Sequence, residues 1–172
     1  MTSALARDPF ASALHDHGRC IRSALDQALA LCANRGLRLT DLRRQVLELV
    51  WRSHTPTGAY QIMDRLAAQR GRVAPPTVYR ALDFLAREGL IHRIDSLNAY
   101  VGCASPTASH EAYFFLCRVC GEAAEFHDAD LAVAIGGCAT RAGFRLGSTT
   151  VELAGVCARC SHAPPERRVD QP

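Results

Sequence analysis

Long apolar runs are missing from this sequence of 172 residues. No run of 18 apolar residues occurs, so no transmembrane helix is expected. The N-terminus has acidic and histidine side chains early and no extended apolar stretch, so no signal peptide is expected. Internal repeats and low-complexity tracts are absent. The motifs of nucleophilic enzymes and the His-Glu-x-x-His pattern of zinc proteases are absent too, which leaves an enzymatic reading without its chemistry. Lysine is lacking altogether: all 20 basic side chains counted in the net charge of +3 are arginine. A GC-rich genome alone produces that bias, so it excludes no function.

Cysteine, by contrast, is present eight times. Without a secretory signal, this points to a reducing compartment, where clustered cysteines are more often metal ligands than disulfides. Four of them form two identical pairs, Cys117-Arg118-Val119-Cys120 and Cys157-Ala158-Arg159-Cys160. A C-x-x-C clip bends so that both thiolates face one ion, and two clips are the usual spacing of a tetrahedral four-cysteine zinc site. Residues 121–156 between them suffice for a helix and a strand or two. Such a site staples a small α/β domain shut. The competing reading is four buried or unrelated thiols, and the repeated spacing argues against it.

Charge divides the chain. Residues 1–102 hold 14 arginines against 9 acidic residues, whereas residues 103–172 hold 6 against 8. A basic first part and an acidic, cysteine-rich second part suggest two jobs. With 48% hydrophobic residues the chain can bury a core.

Periodicity supplies the elements. Ile21, Leu25, Ala28, Leu29 and Cys32 predict a helix over 20–34. Thr40 is placed to cap a second helix whose apolar face is Leu42, Val46, Leu49 and Val50. His54–Gly58 breaks the chain. A third helix over 59–69 buries Ile62, Met63 and Leu66. Pro75 and Pro76 open a fourth, since proline is harmless in a first turn. Val78, Ala81, Leu82 and Leu85 form its inner face, and Gly89 stops it. Residues 90–102 read as a hairpin around Ser96-Leu97-Asn98. Helices followed by a hairpin are the order of a winged helix-turn-helix domain. Residues 103–109 read as a linker. Strands are expected over 111–116, 122–126 and 144–153, with a helix over 130–142 that Asp128 caps. Cys32 and Cys138 sit at core spacing and read as buried thiols.

With the inner face of the fourth helix assigned, Thr77, Tyr79, Arg80 and Asp83 point elsewhere. The first turns of a recognition helix meet base edges and phosphates in the major groove, where Arg binds guanine in bidentate fashion. An ordinary amphipathic helix with a solvated face explains the same pattern, and the hairpin that follows favours DNA. Tyr60, at the start of the preceding helix, is a second candidate contact or a core aromatic.

These residues resemble the ferric-uptake-regulator superfamily. The likeness lies in Arg38-Leu39-Thr40 with Arg43 and Val46-Leu47, in Pro75–Leu85, in Gly89–Arg93 and in Cys117–Gly121. The segment Pro75–Leu85, the segment Asn98–Cys103 and a lone histidine before Cys117 are most similar to its zinc-uptake branch. The likeness spans about residues 20–160. It implies an α+β fold: an N-terminal winged helix-turn-helix domain over 20–102, a hinge over 103–110 and an α/β dimerisation domain over 111–160. A flexible segment (1–19) and a disordered tail (161–172) flank these. It implies a homodimeric, cytoplasmic bacterial repressor of zinc-uptake genes that binds palindromic double-stranded operator DNA, with no membrane partner and no small-molecule substrate beyond the metal ion. Cys117, Cys120, Cys157 and Cys160 would hold a structural Zn²⁺.

The resemblance also implies a second, regulatory Zn²⁺ at His92, Cys103, His110 and Glu125, hence at least two ions per protomer. One thiolate, two imidazoles and one carboxylate suit tetrahedral zinc. Iron-sensing relatives carry a His-rich run before the first clip, and here Ser109–Phe115 has one histidine, which disfavours iron. Each residue has a plainer reading too: a surface histidine, a small buried thiol, an edge-strand acid. His15, His17 and Cys20 form a His-x-His-x-x-Cys cluster that could take a third metal or remain solvated. The closest alternative is a sensor of Fe, Mn, Ni or peroxide within the superfamily. A zinc-stapled protein-interaction module is more remote, because it has no use for Tyr79 and Arg80 on an outward helix face.

Overall fold

The computed structural model describes residues 9–10, 16–106 and 112–162. They fall into two compact units: residues 16–106, and residues 112–162 together with Pro9 and Phe10.

Local chemistry sets the helices of the first unit. Helix α1 (His17–Asn34) begins where the Asp16 carboxylate accepts from the Arg19 N–H at 3.2 Å. This cap recruits residues 17–19, expected in the flexible segment, into the first turn. Gly36, at φ 63, takes the left-handed exit that favours glycine. Helix α2 (Asp41–Val50) starts at Thr40, whose hydroxyl accepts from the Arg43 N–H at 3.4 Å. Helix α3 (Ala59–Arg70) has Gly58 at its cap, with the Gln61 side chain accepting the Gly58 N–H at 3.1 Å. Helix α4 (Pro75–Arg87) opens on the two prolines. Val46, Leu47, Val50, Ile62, Leu66, Val78, Leu82 and Leu85 interlock with no solvent exposure. Each such side chain stabilises the unit by about 1.5–3 kcal/mol. Phe84 of α4 is also buried, beneath the Arg43 guanidinium of α2 at 3.5 Å.

The hairpin is strand β2 (Ile91–Ile94), a 3₁₀ turn (Asp95–Leu97) and strand β3 (Ala99–Gly102), with Asn98 in the left-handed region at φ 46. The break at 54–58 hides a further strand, β1 (Thr57–Gly58), paired antiparallel with β3, so the sheet has the order β1-β3-β2. Two residues are too few to carry an alternation signal.

In the second unit, strand β4 (Ala112–Cys117) is central. Strand β5 (Ala123–Phe126) pairs with it antiparallel and strand β6 (Thr150–Gly155) parallel. A parallel pair needs a crossover, which helix α5 (Ala129–Arg141) supplies after its predicted cap, Asp128. Strand β6 starts six residues later than the expected 144. The Phe144 N–H closes the end of α5 on the Ala139 carbonyl at 2.8 Å, following Gly143 at φ 64, so this stretch finishes the helix instead of extending a strand. Helix α5 buries no residue, and Cys138 is exposed, against the expectation of a buried thiol. Spacing reveals an apolar face but not whether anything covers it. Helix α6 (Ala158–Ser161) ends the described chain, so Ser161 belongs to a helix where a tail was expected; residues 163–172 lie outside the described residues.

Candidate metal centres and nucleic-acid interface

The two clips converge in the second unit. Cys117 ends β4, Cys120 lies in the following turn, and Cys157 and Cys160 bracket the first turn of α6. The turn is possible because Gly121 adopts φ 74 and returns its N–H to the Cys117 carbonyl at 2.9 Å. All four Sγ atoms lie within 4.8 Å of one another. The Sγ atoms of Cys120 and Cys157 are 4.0 Å apart, far beyond a disulfide bond. The Cys157 N–H donates to the Cys117 sulfur at 3.4 Å. Arg159 donates to the Cys120 sulfur at 3.7 Å while pairing with Glu122 at 2.7 Å, which steadies the first clip from outside.

The protonation of Cys117, Cys157 and Cys160 shows what the site suits. Burial pushes the Cys117 thiol up, but backbone N–H donors from Cys120, Cys157 and Val119 outweigh it and hold the group at about 6. Burial and hydrogen bonds from the neighbouring thiols push Cys160 up to about 12, and burial raises Cys157 as well. The half-buried cluster therefore supports a thiolate at Cys117 readily and resists one at Cys157 or Cys160. A dication that compensates all four removes the conflict, so the residues fit Zn²⁺.

The second expected set is distributed over both units. His92 lies on β2 opposite Val101, and Cys103 directly follows β3, its N–H donating to the Leu90 carbonyl at 3.1 Å. Side chains alternate along a strand, so His92, Val101 and Cys103 share one face of the hairpin. A ring nitrogen of His92 and the Cys103 sulfur lie within 4.8 Å of each other. Glu125 lies on β5 opposite Phe114. His110 lies outside the described residues. His127, which begins the stretch before α5, places its Nε2 3.9 Å from the Glu125 carboxylate. His15 also lies outside the described residues. The His17 ring instead meets His54, at 4.8 Å between centroids, and no further cluster of three such donors that includes His17 or Cys20 forms among the described residues.

On α4, Thr77, Tyr79, Arg80 and Asp83 are all exposed while Val78, Ala81 and Leu82 are buried, so the helix presents one continuous polar face. Tyr60 is 75% exposed at the start of α3, which removes its reading as a core aromatic. The hairpin that follows α4 presents Arg93, held by Asp95 at 3.1 Å and Asn98 at 3.2 Å.

Residues 34–154 match the ferric uptake regulator family. The chain belongs to that family. It is 36% identical to the zinc uptake regulation protein of Escherichia coli K12 over 150 residues, 86% of each chain. Among solved structures it is similar to a zinc uptake regulator complexed with zinc and DNA, at 35% identity and a TM-score of 0.78, covering 82% of this chain and 95% of that one. It is also similar to holo XcZur, at 39% identity and a TM-score of 0.75, covering 82% and 99%. These likenesses carry the α+β fold with its winged-helix and α/β parts, and they place the chain among transcription regulators, not enzymes.

Proposed function

We propose that this chain is a zinc-responsive repressor of zinc-uptake genes that binds operator DNA as a homodimer. The observation that carries this reading is the position of His92 and Cys103: the hairpin of the DNA-binding unit itself carries two metal donors within 4.8 Å on one face. The relatives named above, one of them in complex with zinc and DNA, support it.

Two ions per protomer fit the donors. Cys117, Cys120, Cys157 and Cys160 hold the structural one; a closed thiolate site stays filled whenever the unit is folded. The resemblance to the zinc-uptake branch assigns the regulatory one to His92, Cys103, His110 and Glu125, and one thiolate, two imidazoles and one carboxylate suit Zn²⁺. When bound, this ion supplies a cross-link between hairpin and dimerisation domain. His92 and Cys103 then hold the winged-helix domain (20–102) against rotation about the hinge (103–110). In the dimer this fixes the spacing of the two α4 helices, so that both meet half-sites about one helical turn apart. Moving the population from mostly open to mostly closed requires the ion to favour the closed state by about 5 kcal/mol. Thr77, Tyr79 and Arg80 contact the major groove, and Tyr60 contacts the backbone.

Operator binding measured against buffered free Zn²⁺, Fe²⁺, Mn²⁺ and Ni²⁺ tests the reading. Zinc should activate at the lowest free concentration, and Cys103→Ser should abolish activation while the structural zinc stays in place. Activation by Fe²⁺ below the zinc requirement, or intact zinc activation in Cys103→Ser, would overturn it.

A further inference from the structure

Trp51, the one tryptophan of the chain, follows α2 and closes it through its N–H to the Leu47 carbonyl at 3.1 Å. Its indole lies against Gly102, the last residue of β3. A Cβ at Gly102 would collide with Cε2 and Nε1 of Trp51 and fall 2.6 Å from Cδ2, so only glycine leaves room for the ring. The indole N–H is buried and has no hydrogen-bond partner among the described residues. Burying that donor unmet is unfavourable, and a phenyl ring would fill much of the space without it.

The register shows what this contact does. Gly102 pairs with Ile91, while His92 pairs with Val101 and Cys103 bonds to Leu90. Alternation therefore places Gly102 and Ile91 on the face opposite His92 and Cys103. Trp51 backs the strand end that carries the two donors. The other end of α2 reaches α4, where Arg43 lies on Phe84 at 3.5 Å.

We propose that Trp51 is a positioning residue for the hairpin donors, and that its stack on Gly102 couples their occupancy to helix α2. This rests on reading His92 and Cys103 as regulatory ligands. The indole fixes the end of β3, so the His92–Cys103 separation is held ready for an ion. A displacement of that strand end cannot be absorbed at Gly102 without moving the ring.

A single tryptophan makes the test direct. Zinc is titrated into the full-length protein with its four-cysteine site already filled, while indole emission and operator binding are both recorded. The emission should change and saturate at one further zinc per chain, and this change should vanish in Cys103→Ser. Trp51→Phe, followed by competition with a zinc indicator, should bind the regulatory zinc about tenfold more weakly, with its structural zinc and thermal midpoint retained. An emission that ignores zinc while operator binding responds to it would overturn the positioning role and leave the regulatory-site reading standing. So would an unchanged zinc affinity in Trp51→Phe. If neither emission nor operator binding responds to zinc, the regulatory-site reading falls and takes this role with it.

Discussion

Helices α2, α3 and α4 bury their apolar residues against one another, whereas α5 buries none. In the first unit the core side chains from Val46 to Leu85 named above have no exposure at all; the second leaves Val133 at 74%, Phe144 at 65% and Val156 at 55% exposed. In the second, the ordered interior is β4, where Tyr113 and Phe114 are buried, together with the cysteine clips. One unit is held by its own core. The other brings four cysteine sulfurs together; on the reading proposed above it draws its stability from the zinc they would hold and from a second copy that covers the apolar side chains left bare. The first unit exposes Leu29 and Leu97 as well, at 50% and 54%, so the contrast lies in what the helices bury rather than in exposure alone.

The strongest way to break this contrast is to remove the staple. A Cys117→Ser chain should lose its structural zinc, its dimer and the fold of its second unit, while the circular-dichroism signature of α1–α4 persists. Structural zinc is worth about 10–16 kcal/mol in small zinc peptides, at least as much as a whole small domain's stability. A zinc-free variant that still sediments as a dimer would erase the distinction. Next comes truncation of the two kinds of apolar residue. Leu82→Ala should destabilise the first unit by about 2–5 kcal/mol in denaturant titrations. Val133→Ala should change unfolding of the monomer by no more than about 0.5 kcal/mol and act on dimer dissociation instead.

Arg80→Ala sharpens the same comparison from the DNA side. It should weaken operator binding by about 1–3 kcal/mol at fixed salt and relax preference at one base position, with dimerisation unchanged. The smallest effect concerns pH. Cys117, held at about 6 against an ordinary thiol near 9, is already a thiolate above that value. It therefore releases no proton on zinc loading at pH 7 and up to one as the pH falls through 6. Its contribution to folding has the matching sign: present in full above the unfolded value and lost as the pH drops toward 6. Proton release on zinc addition in weak buffer measures this, and zinc uptake with the same proton count at pH 5 and 7.5 would contradict it.

The elements of the first unit were legible wherever caps and periodicity coincided, as at Thr40, Pro75 and the Val78–Leu85 face. Strand β1 was not, because two residues carry no pattern. The meeting of the four cysteine sulfurs was legible from spacing, since each C-x-x-C turns its own two sulfurs the same way and the shared spacing pairs the two clips. The hairpin donors were not: His92 and Cys103 come together through strand register, and only the family resemblance named them. The reach of β6 was misread because Phe144–Gly147 looks extended until Gly143 turns the backbone and the Phe144 N–H is drawn to α5. The role of Trp51 was invisible, because it depends on a side chain that Gly102 lacks.

The parallel pairing of β4 with β6 has a consequence for synthesis. Cys117 lies opposite Gly155 in that ladder, and the second clip begins two residues later. On the ribosome, β4 emerges well before the strand that completes its pairing and before Cys160 can close the clasp. The DNA-binding unit, whose contacts all precede this, is free to fold first, since domains fold as units from the N-terminus during translation. A nascent chain is thus able to form helix α4 before all four cysteines of the proposed structural metal site have been made.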